Sequence, residues 1–246
     1  MDRALYIAMT GAGQTLQSMG VTSNNLANAS TAGFRAEIAQ ARAEAIQGNG
    51  MASRYNTVDT GAGFDGAGGA VRATGRDLDI AMRGDGWLAV QTPDGNEALT
   101  RAGNLQVNAA GQLLTGSGLP VMGDGGPIAV PPHSSMTIGS DGTITIVPQG
   151  VGPETTATVG RLKVVEARAD QLERRADGLF QARPGEDVLP MAGDSVVSGA
   201  LESSNVNVAQ TLVEMIELSR KFEMQVRMMR TVEDNAKAGA SLLRQT

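Results

Sequence analysis

The sequence predicts an α+β fold in which long helices at the two ends of the chain pair as a coiled-coil-like core, with a mainly antiparallel β domain inserted between them. Three observations support this prediction. Apolar residues recur at alternating steps of four and three near both ends of the 246-residue chain. Short runs of strand-forming residues fill the central part and are separated by Asp-Gly pairs. The 32 glycines are typical of a chain with many turns.

The first element is a helix from about residue 3 to 28. Residues 4–34 contain no acidic or basic side chain, whereas an isolated surface helix normally carries charges on its outer face. No 18-residue apolar run occurs, so a membrane span is not predicted. We therefore expect a helix that is enclosed by protein on most sides. Its apolar stripe consists of Leu5, Met9, Ala12, Leu16, Met19, Ser23 and Leu26.

The segments after this helix are less regular. A turn at residues 28–33 leads to an Ala-rich segment, residues 35–46, that is compatible with either a helix or a strand. We assign residues 1–46 to the helical core and residues 47–75, which are rich in glycine, to an extended connector without a core of its own. The β domain then covers residues 76–200, and the C-terminal helical segment covers residues 201–246.

The β domain is predicted from turns and alternating residues. Its strands include Leu78–Met82, Trp87–Val90, Thr143–Val147 and Leu162–Val165, which combine β-branched or aromatic residues with period-two alternation. The Asp-Gly pairs, favoured in hairpin turns, lie at residues 65–66, 85–86, 94–95, 124–125, 141–142 and 177–178.

The last element is a long helix that begins near residue 207. Unlike the first helix it has a charged face, with pairs such as Glu217 and Lys221 at helical spacing. Its stripe consists of Val208, Leu212, Met215, Ser219, Phe222, Val226, Met229, Glu233, Ala236, Ala240 and Leu243. Matching periodicity at the two ends indicates that the terminal helices pair with each other.

Composition and motifs favour no catalytic, cofactor or metal site. The net charge is −6, and its acidic excess lies between two nearly neutral ends, which argues against nucleic-acid binding. The chain has no cysteine, and its one histidine, His133, has no second histidine to complete a metal site. The Gly61–Gly66 segment matches a dinucleotide fingerprint, but no strand–helix unit surrounds it. We therefore expect no enzyme.

Several motifs resemble those of the bacterial flagellar rod and hook proteins. Asn24–Arg35 reads NNLANASTAGFR, which is similar to the N-terminal signature of that family, and Leu201–Val208 reads LESSNVNV, which is similar to its C-terminal signature. Between them, the GDGWLAV run at residues 84–90 and the LTRAG run at residues 99–103 resemble the family's β body. The resemblance covers essentially the whole chain, in the same order.

The resemblance implies a structural subunit of the rod in the flagellar basal body. Such subunits polymerise through their terminal helices into a hollow shaft that crosses the periplasm, transmits torque and conducts exported subunits. The implied partners are copies of the chain, other rod subunits and, during export without a cleaved signal, the flagellar type III apparatus. The length of the chain is compatible with a proximal or a distal rod subunit of this family, and the sequence DGWLAVQ at residues 85–91 favours the proximal one. A glycan-binding β protein that oligomerises through its helices, and less readily a hydrolase, are the alternatives from other classes.

The resemblance also assigns assembly residues, and their chemistry gives two further expectations. Buried amides need partners, so the asparagines of the signature should be hydrogen-bonded. Gly33 should occupy a turn that requires a positive φ. The expected assembly residues are Leu5, Met9, Leu16, Met19, Asn24, Asn25, Leu26, Asn28, Gly33, Phe34, Leu212, Met215, Phe222, Val226 and Met229.

Overall fold

The fold consists of two compact units, seen in a computed structural model that describes residues 2–45, 55–150, 152 and 154–243. The helical unit comprises the described parts of Met1–Ala27, Glu37–Gly63 and Asn207–Thr246. The β unit comprises Asn28–Ala36 and the described parts of Phe64–Val206. The prediction of an α+β fold with a helix near each end and a mainly antiparallel β region is confirmed.

The helical unit is built on two long helices that pack together. Helix α1 spans Asp2–Ala27 and helix α2 spans Val208–Leu243. Strands β1 (Glu37–Ala45) and β2 (Tyr55–Phe64) form a two-stranded sheet, and α1 also contacts β1. In the described part of the chain, neither helix combines the length and the apolar character that a membrane crossing requires.

The face of α1 that is buried consists of small residues. Ala8, Ala12, Thr15 and Thr22 are buried, at the four-and-three spacing of a helix-packing stripe. Small side chains at a contact allow two helix axes to approach closely. The predicted stripe shares Ala12 with this face, but its large residues lie to one side of it. The intramolecular contact is therefore rotated about the helix axis from the predicted one.

Helix α2 begins with an N-cap and continues with two different faces. The side-chain oxygen of Asn207 accepts hydrogen bonds from the backbone N–H groups of Ala209 at 3.1 Å and Gln210 at 3.2 Å. One face is buried or half-buried and includes Thr211, Met215, Phe222, Val226 and Met229. The opposite face exposes Val213, Ile216, Met224 and Met228.

The described part of the β unit contains short strands and one 3-10 helix, Ala169–Gln171. Its strands are β3 (Val71–Ala73), β4 (Ile80–Met82), β5 (Gly86–Gln91), β6 (Glu97–Thr100), β7 (Leu105–Val107), β8 (Leu113–Thr115), β9 (Met122–Gly123), β10 (Gly126–Pro127), β11 (His133–Ile138), β12 (Thr143–Pro148), β13 (Ala157–Arg161), β14 (Val164–Glu166), β15 (Leu172–Arg174), β16 (Phe180–Ala182), β17 (Leu189–Pro190), β18 (Val196–Ser198) and β19 (Ala200–Glu202).

The strands of the β unit pair antiparallel around one main sheet. That sheet has six strands in the order β15-β16-β6-β5-β14-β17, and a second sheet has the order β11-β12-β13. Pairs β9–β10, β7–β8, β4–β18 and β3–β19 complete the unit. Central strand β5 is buried on both faces: Leu88 and Val90 join the larger apolar cluster, while Trp87 and Ala89 join the smaller one.

The Asp-Gly pairs mark hairpin turns at four of the six predicted places. Gly95, Gly142 and Gly178 have φ angles of 81°, 83° and 83° between successive paired strands, and Asp124–Gly125 joins β9 to β10. In the turn before β12, hydrogen bonds from the Thr143 hydroxyl and backbone lower the pKa of Asp141. The pairs at residues 65–66 and 85–86 do not join paired strands, because Gly66 follows β2 and Gly86 begins β5.

Strands occur in two segments for which the sequence specified none. The Ala-rich segment 35–46 contains β1, so the strand alternative applies there. The expected connector, residues 47–75, contains strands β2 and β3, although residues 47–54 lie outside the described part of the chain. Strand β3 pairs with β19, which lies more than a hundred residues away, so no local pattern in the glycine-rich segment indicates the pairing.

Replacing single glycines tests how α1 packs. Gly13 has open space where a Cβ atom would lie, whereas a Cβ on Gly11 would lie 3.1 Å from Nε2 of Gln225 in α2. Gly13→Ala should stabilise α1 by roughly 0.5–1 kcal/mol through helix propensity, and Gly11→Ala should gain less because Gln225 must shift. Native-state hydrogen exchange of α1 amides measures both effects, and equal protection in the two variants would contradict this packing.

Candidate functional site: a buried ion triad and two exposed helix faces

Three charged side chains meet inside the β unit, and we name Arg35, Arg101 and Glu202 the buried ion triad. Their residues are only 1%, 6% and 3% exposed. The Glu202 carboxylate lies between the two arginines, with Oε1 at 2.6 Å from Nη1 of Arg35 and Oε2 at 3.3 Å from Nη1 of Arg101. The backbone N–H of Gly69 also donates to Oε1, at 2.9 Å. Glu202 is therefore the shared anion of the cluster.

Both arginines of the triad lie against the ring of Trp87. The guanidinium carbons of Arg35 and Arg101 are 6.0 Å and 5.2 Å from the ring centroid, within the range of a cation–π interaction. The indole Nε1 of Trp87 donates a hydrogen bond to the carbonyl of Ala167 at 2.9 Å, which fixes the ring. Trp87 thus joins the triad to the smaller apolar cluster.

The triad contains two cations and one carboxylate. Arg101 also donates to the carbonyl oxygens of Met82, at 3.3 Å, and of Gly84. Burial lowers the pKa of Arg101, and the charge of Glu202 opposes that effect. Arg35 lies at ion-pair distance from Glu202, yet none of its three guanidinium nitrogens has hydrogen-bond geometry to a group in the described part of the chain. The buried charge of Arg35 is therefore compensated by the carboxylate of Glu202.

Backbone hydrogen bonds join the two segments that carry Arg35 and Glu202. The N–H of Gly33 donates to the carbonyl of Glu202 at 2.8 Å, and the N–H of Asn205 donates to the carbonyl of Phe34 at 3.3 Å. The Asn205 side chain accepts from the N–H of Ala36 at 2.7 Å and donates to the carbonyl of Ala67 at 2.9 Å. We name residues 33–36 and 202–205, with these bonds, the clasp.

Gly33 is required in the clasp for two reasons. Its φ is 69°, so the expectation of a positive φ is confirmed. A Cβ atom at this position would overlap the backbone of Arg101 and Ala102. The next residue, Phe34, packs its ring under the Arg174 guanidinium, whose carbon is 5.0 Å from the ring centroid. These two signature residues therefore have contacts inside a single chain.

The asparagines of the N-terminal signature also bind groups of their own chain. Asn25 accepts from the backbone N–H of Glu37 at 2.7 Å and donates to the carbonyl of the same residue at 2.8 Å. Asn28 accepts from the Thr31 hydroxyl at 3.1 Å. The expectation of hydrogen-bonded amides is thus met for these two residues.

The large apolar residues predicted for the first helix lie on an exposed face of α1. Leu5, Met9 and Leu16 are 37%, 52% and 52% exposed, and they share one side of the helix, next to the small residues that are buried. Met19 and Leu26 are half-buried. On α2, Leu212 is exposed, whereas Met215, Phe222, Val226 and Met229 are half-buried.

A polar contact lies within the helix pair. The Thr15 hydroxyl is hydrogen-bonded to the backbone carbonyl of Gly11 at 2.9 Å and to Oε1 of Gln225 at 3.0 Å. A polar contact within an apolar helix interface favours one register over its alternatives, because a shifted register leaves the polar groups unpaired. Thr15 and Gln225 therefore specify how α1 and α2 align.

Comparison with known proteins gives full-length relatives. The chain is 44% identical to the flagellar basal-body rod protein FlgF of Salmonella typhimurium and to FlgF of Escherichia coli, with 99% of both chains covered in each case. It is 33% identical to the flagellar basal-body rod protein FlgG of Buchnera aphidicola, over 91% of this chain and 93% of the relative.

This chain belongs to the flagellar basal-body rod protein family. Three family models match it: the flagella basal body rod protein at residues 5–35, the FlgE/F/G hook protein D1 domain at residues 81–146, and the C-terminal part of the basal body rod FlgEFG protein at residues 197–242. Each matched region supplies one member of the buried ion triad, so the triad is where the three regions of the rod protein meet.

Sequence reasoning found the signatures of the rod family but missed the triad. Arg35 is the first charged residue after the uncharged stretch, and Glu202 is the only charged residue between Asp194 and Glu214. Isolated charges of opposite sign inside two signatures are the signal that could have paired them. Arg101 carries the same signal, since it is the only charged residue between Glu97 and Asp124 and lies in the LTRAG run.

Replacing Gly33 tests the clasp against a matched glycine. Gly33→Ala and Gly95→Ala both place alanine at a positive φ, of 69° and 81°, but only the first also overlaps neighbouring backbone. Backbone strain alone costs roughly 1–3 kcal/mol, so we expect Gly33→Ala to destabilise the β unit by more than Gly95→Ala does. Denaturant unfolding followed by Trp87 fluorescence measures the difference, and a smaller effect for Gly33→Ala contradicts the close approach.

Proposed function

We propose that this chain is a structural subunit of the flagellar basal-body rod that polymerises through its terminal helices. Membership of the rod protein family supports this role. The observation that carries it is the exposed face of α1: a segment without charge, residues 4–34, presents Leu5, Met9 and Leu16 to solvent in the single chain. Contiguous exposed apolar side chains mark interaction sites.

The proposed contact extends the helix pair into a larger bundle. In α1 the small residues are used within the chain and the large ones remain beside them, so two adjacent sides of the helix can each contact another helix. In α2 the exposed residues Val213, Ile216, Met224 and Met228 lie opposite the side that contains Thr211 and Phe222. We propose coiled-coil-like packing in this bundle, with both helices contacting more than one neighbour.

The partners we propose are copies of this chain and other rod subunits. The two helices differ in composition, since α1 has no charged residue after Arg3 and α2 carries both signs along its length. We propose that a face of α1 contacts a face of α2 on the next chain without a reciprocal contact. Such a contact is heterologous, and heterologous contacts that do not close build helical filaments. Such a filament fits a hollow shaft that transmits torque, crosses the periplasm and conducts exported subunits.

The assembly residues fall into two groups in this proposal. The intermolecular contacts are made by the exposed or half-buried helix residues Leu5, Met9, Leu16, Met19, Asn24, Leu26, Leu212, Met215, Phe222, Val226 and Met229. Asn25, Asn28, Gly33 and Phe34 act instead by shaping the subunit, since their described contacts are within the chain.

Among rod subunits we propose the FlgF-like, proximal one. The 44% identity to two FlgF proteins exceeds the 33% identity to the FlgG protein of Buchnera aphidicola. We also propose a non-catalytic role and export through the flagellar type III apparatus without a cleaved signal. In this proposal the shaft is the site of action, and no nucleic acid or direct membrane contact is involved.

A charge on the exposed face of α1 tests assembly. Leu16→Glu should leave the isolated chain folded, because Leu16 is already 52% exposed, but should prevent incorporation into rods by placing a carboxylate in an apolar contact. Leu189→Glu is the matched control, since Leu189 is 68% exposed on β17 of the β unit.

The measurements are swimming in soft agar and electron microscopy of purified basal bodies from cells that carry each variant as the sole copy. We expect loss of swimming and rods that stop short for Leu16→Glu, while Leu189→Glu swims normally. Export of both variants is checked by their release from the cytosol. Normal rods with Leu16→Glu would refute the proposed interface.

A further inference from the structure

The buried ion triad combines residues that are far apart in the sequence. Arg35 and Arg101 precede Glu202 by 167 and 101 positions in the sequence, yet both form ion pairs with it. Glu202 ends β19, the last strand of the β unit, and β19 pairs with β3. The one carboxylate that pairs with both buried cations is therefore supplied by the final segment of the unit.

The surroundings of the two arginines make that carboxylate hard to replace. Arg35 has no hydrogen-bond geometry to any group among the described residues. Burial and then the positive charge of Arg35 lower the pKa of Arg101, and both guanidinium groups lie near the Trp87 ring. Asp85 interacts electrostatically with Arg101 but is itself exposed. A buried charge that has lost its partner is strongly destabilising, far more than the loss of an exposed ion pair.

We propose that the triad makes closure of the β unit conditional on arrival of residues 200–206. Before Glu202 is in place, folding of β5, β6 and the segment that contains Arg35 would bury two cations without a counter-charge. A chain that emerges N-terminus first therefore holds its β unit open until the C-terminal signature is available. The triad then acts as a completion device, independent of the proposed role in the rod.

The last step brings several bonds together at once. Glu202 accepts from the N–H of Gly69 through its side chain and from the N–H of Gly33 through its carbonyl. Asn205 then binds Ala36 and Ala67. Because these bonds share one short segment, they form together, and the sole tryptophan of the chain, Trp87, lies beside them as a fluorescence reporter.

Full-length variants test the charge requirement. Glu202→Gln keeps the shape of the side chain and removes its charge, and we expect the ratio of folded to unfolded β unit to fall at least about a hundredfold in denaturant titrations followed by Trp87 fluorescence. Glu166→Gln, at an exposed position of β14, should leave that ratio within about threefold of the unsubstituted chain. A Glu202→Gln variant as stable as the Glu166→Gln control overturns the proposal.

An apolar triad provides a second variant in case Glu202→Gln does not fold. The triple variant Arg35→Met, Arg101→Met, Glu202→Leu removes all three charges, and apolar replacement of a whole buried ion cluster is often tolerated. We expect it to fold with a native-like Trp87 signal and more stably than Glu202→Gln. A triple variant that is no more stable than Glu202→Gln shows that charge compensation is not the cause and overturns the proposal.

Pulsed hydrogen exchange during refolding tests the order of events in the unsubstituted chain. The amide of Ala89, which donates to the carbonyl of Lys163 within the main sheet, reports on that sheet, and the amides of Gly33 and Gly69 report on Glu202. We expect all three to become protected in one kinetic phase. Protection of Ala89 in an earlier phase than Gly33 and Gly69 contradicts conditional closure.

Discussion

The organisation of the β unit depends on the compensation of buried charge. Two arginines lie near a tryptophan ring in an almost fully buried site, and one carboxylate pairs with both. Burial of an ion is costly unless the ion is paired. Separation of the segment that carries Arg35 or Glu202 would leave a buried charge without its partner and would destabilise the β unit. The clasp, the β3–β19 pair and the left-handed turn at Gly33 all follow from bringing these segments together.

In the helical unit, side-chain size distinguishes two faces of α1. Alanine and threonine are used where α1 is covered within the chain, and leucine and methionine are placed where it is not. Thr15 and Gln225 add a polar contact that selects the alignment of α1 and α2. The uncharged stretch at residues 4–34 thus has a structural explanation on both sides: one side is already covered, and the other is suited to be covered by a further helix.

The elements that sequence predicts well are those with a local signal. The terminal helices, the strand around Trp87 and the turns at Gly95, Gly142 and Gly178 each have periodicity or turn chemistry within a few residues. Strand β3 lacks such a signal, because its partner β19 lies far along the chain. The isolated charges of the triad are visible in the sequence, but nothing local shows that they pair with one another. The sequence also does not show which stripe of α1 packs against α2. Both the small and the large residues repeat at the same spacing, and only the contact with the partner helix distinguishes them.

The unequal lengths of the two helices have a geometric consequence. At 1.5 Å per residue, the 26 residues of α1 and the 36 residues of α2 correspond to about 39 Å and 54 Å. Whatever their alignment, roughly 15 Å of α2 has no α1 of the same chain alongside it. The stretch of α2 beyond the reach of α1 therefore offers additional helix surface for the contacts with neighbouring chains that we propose.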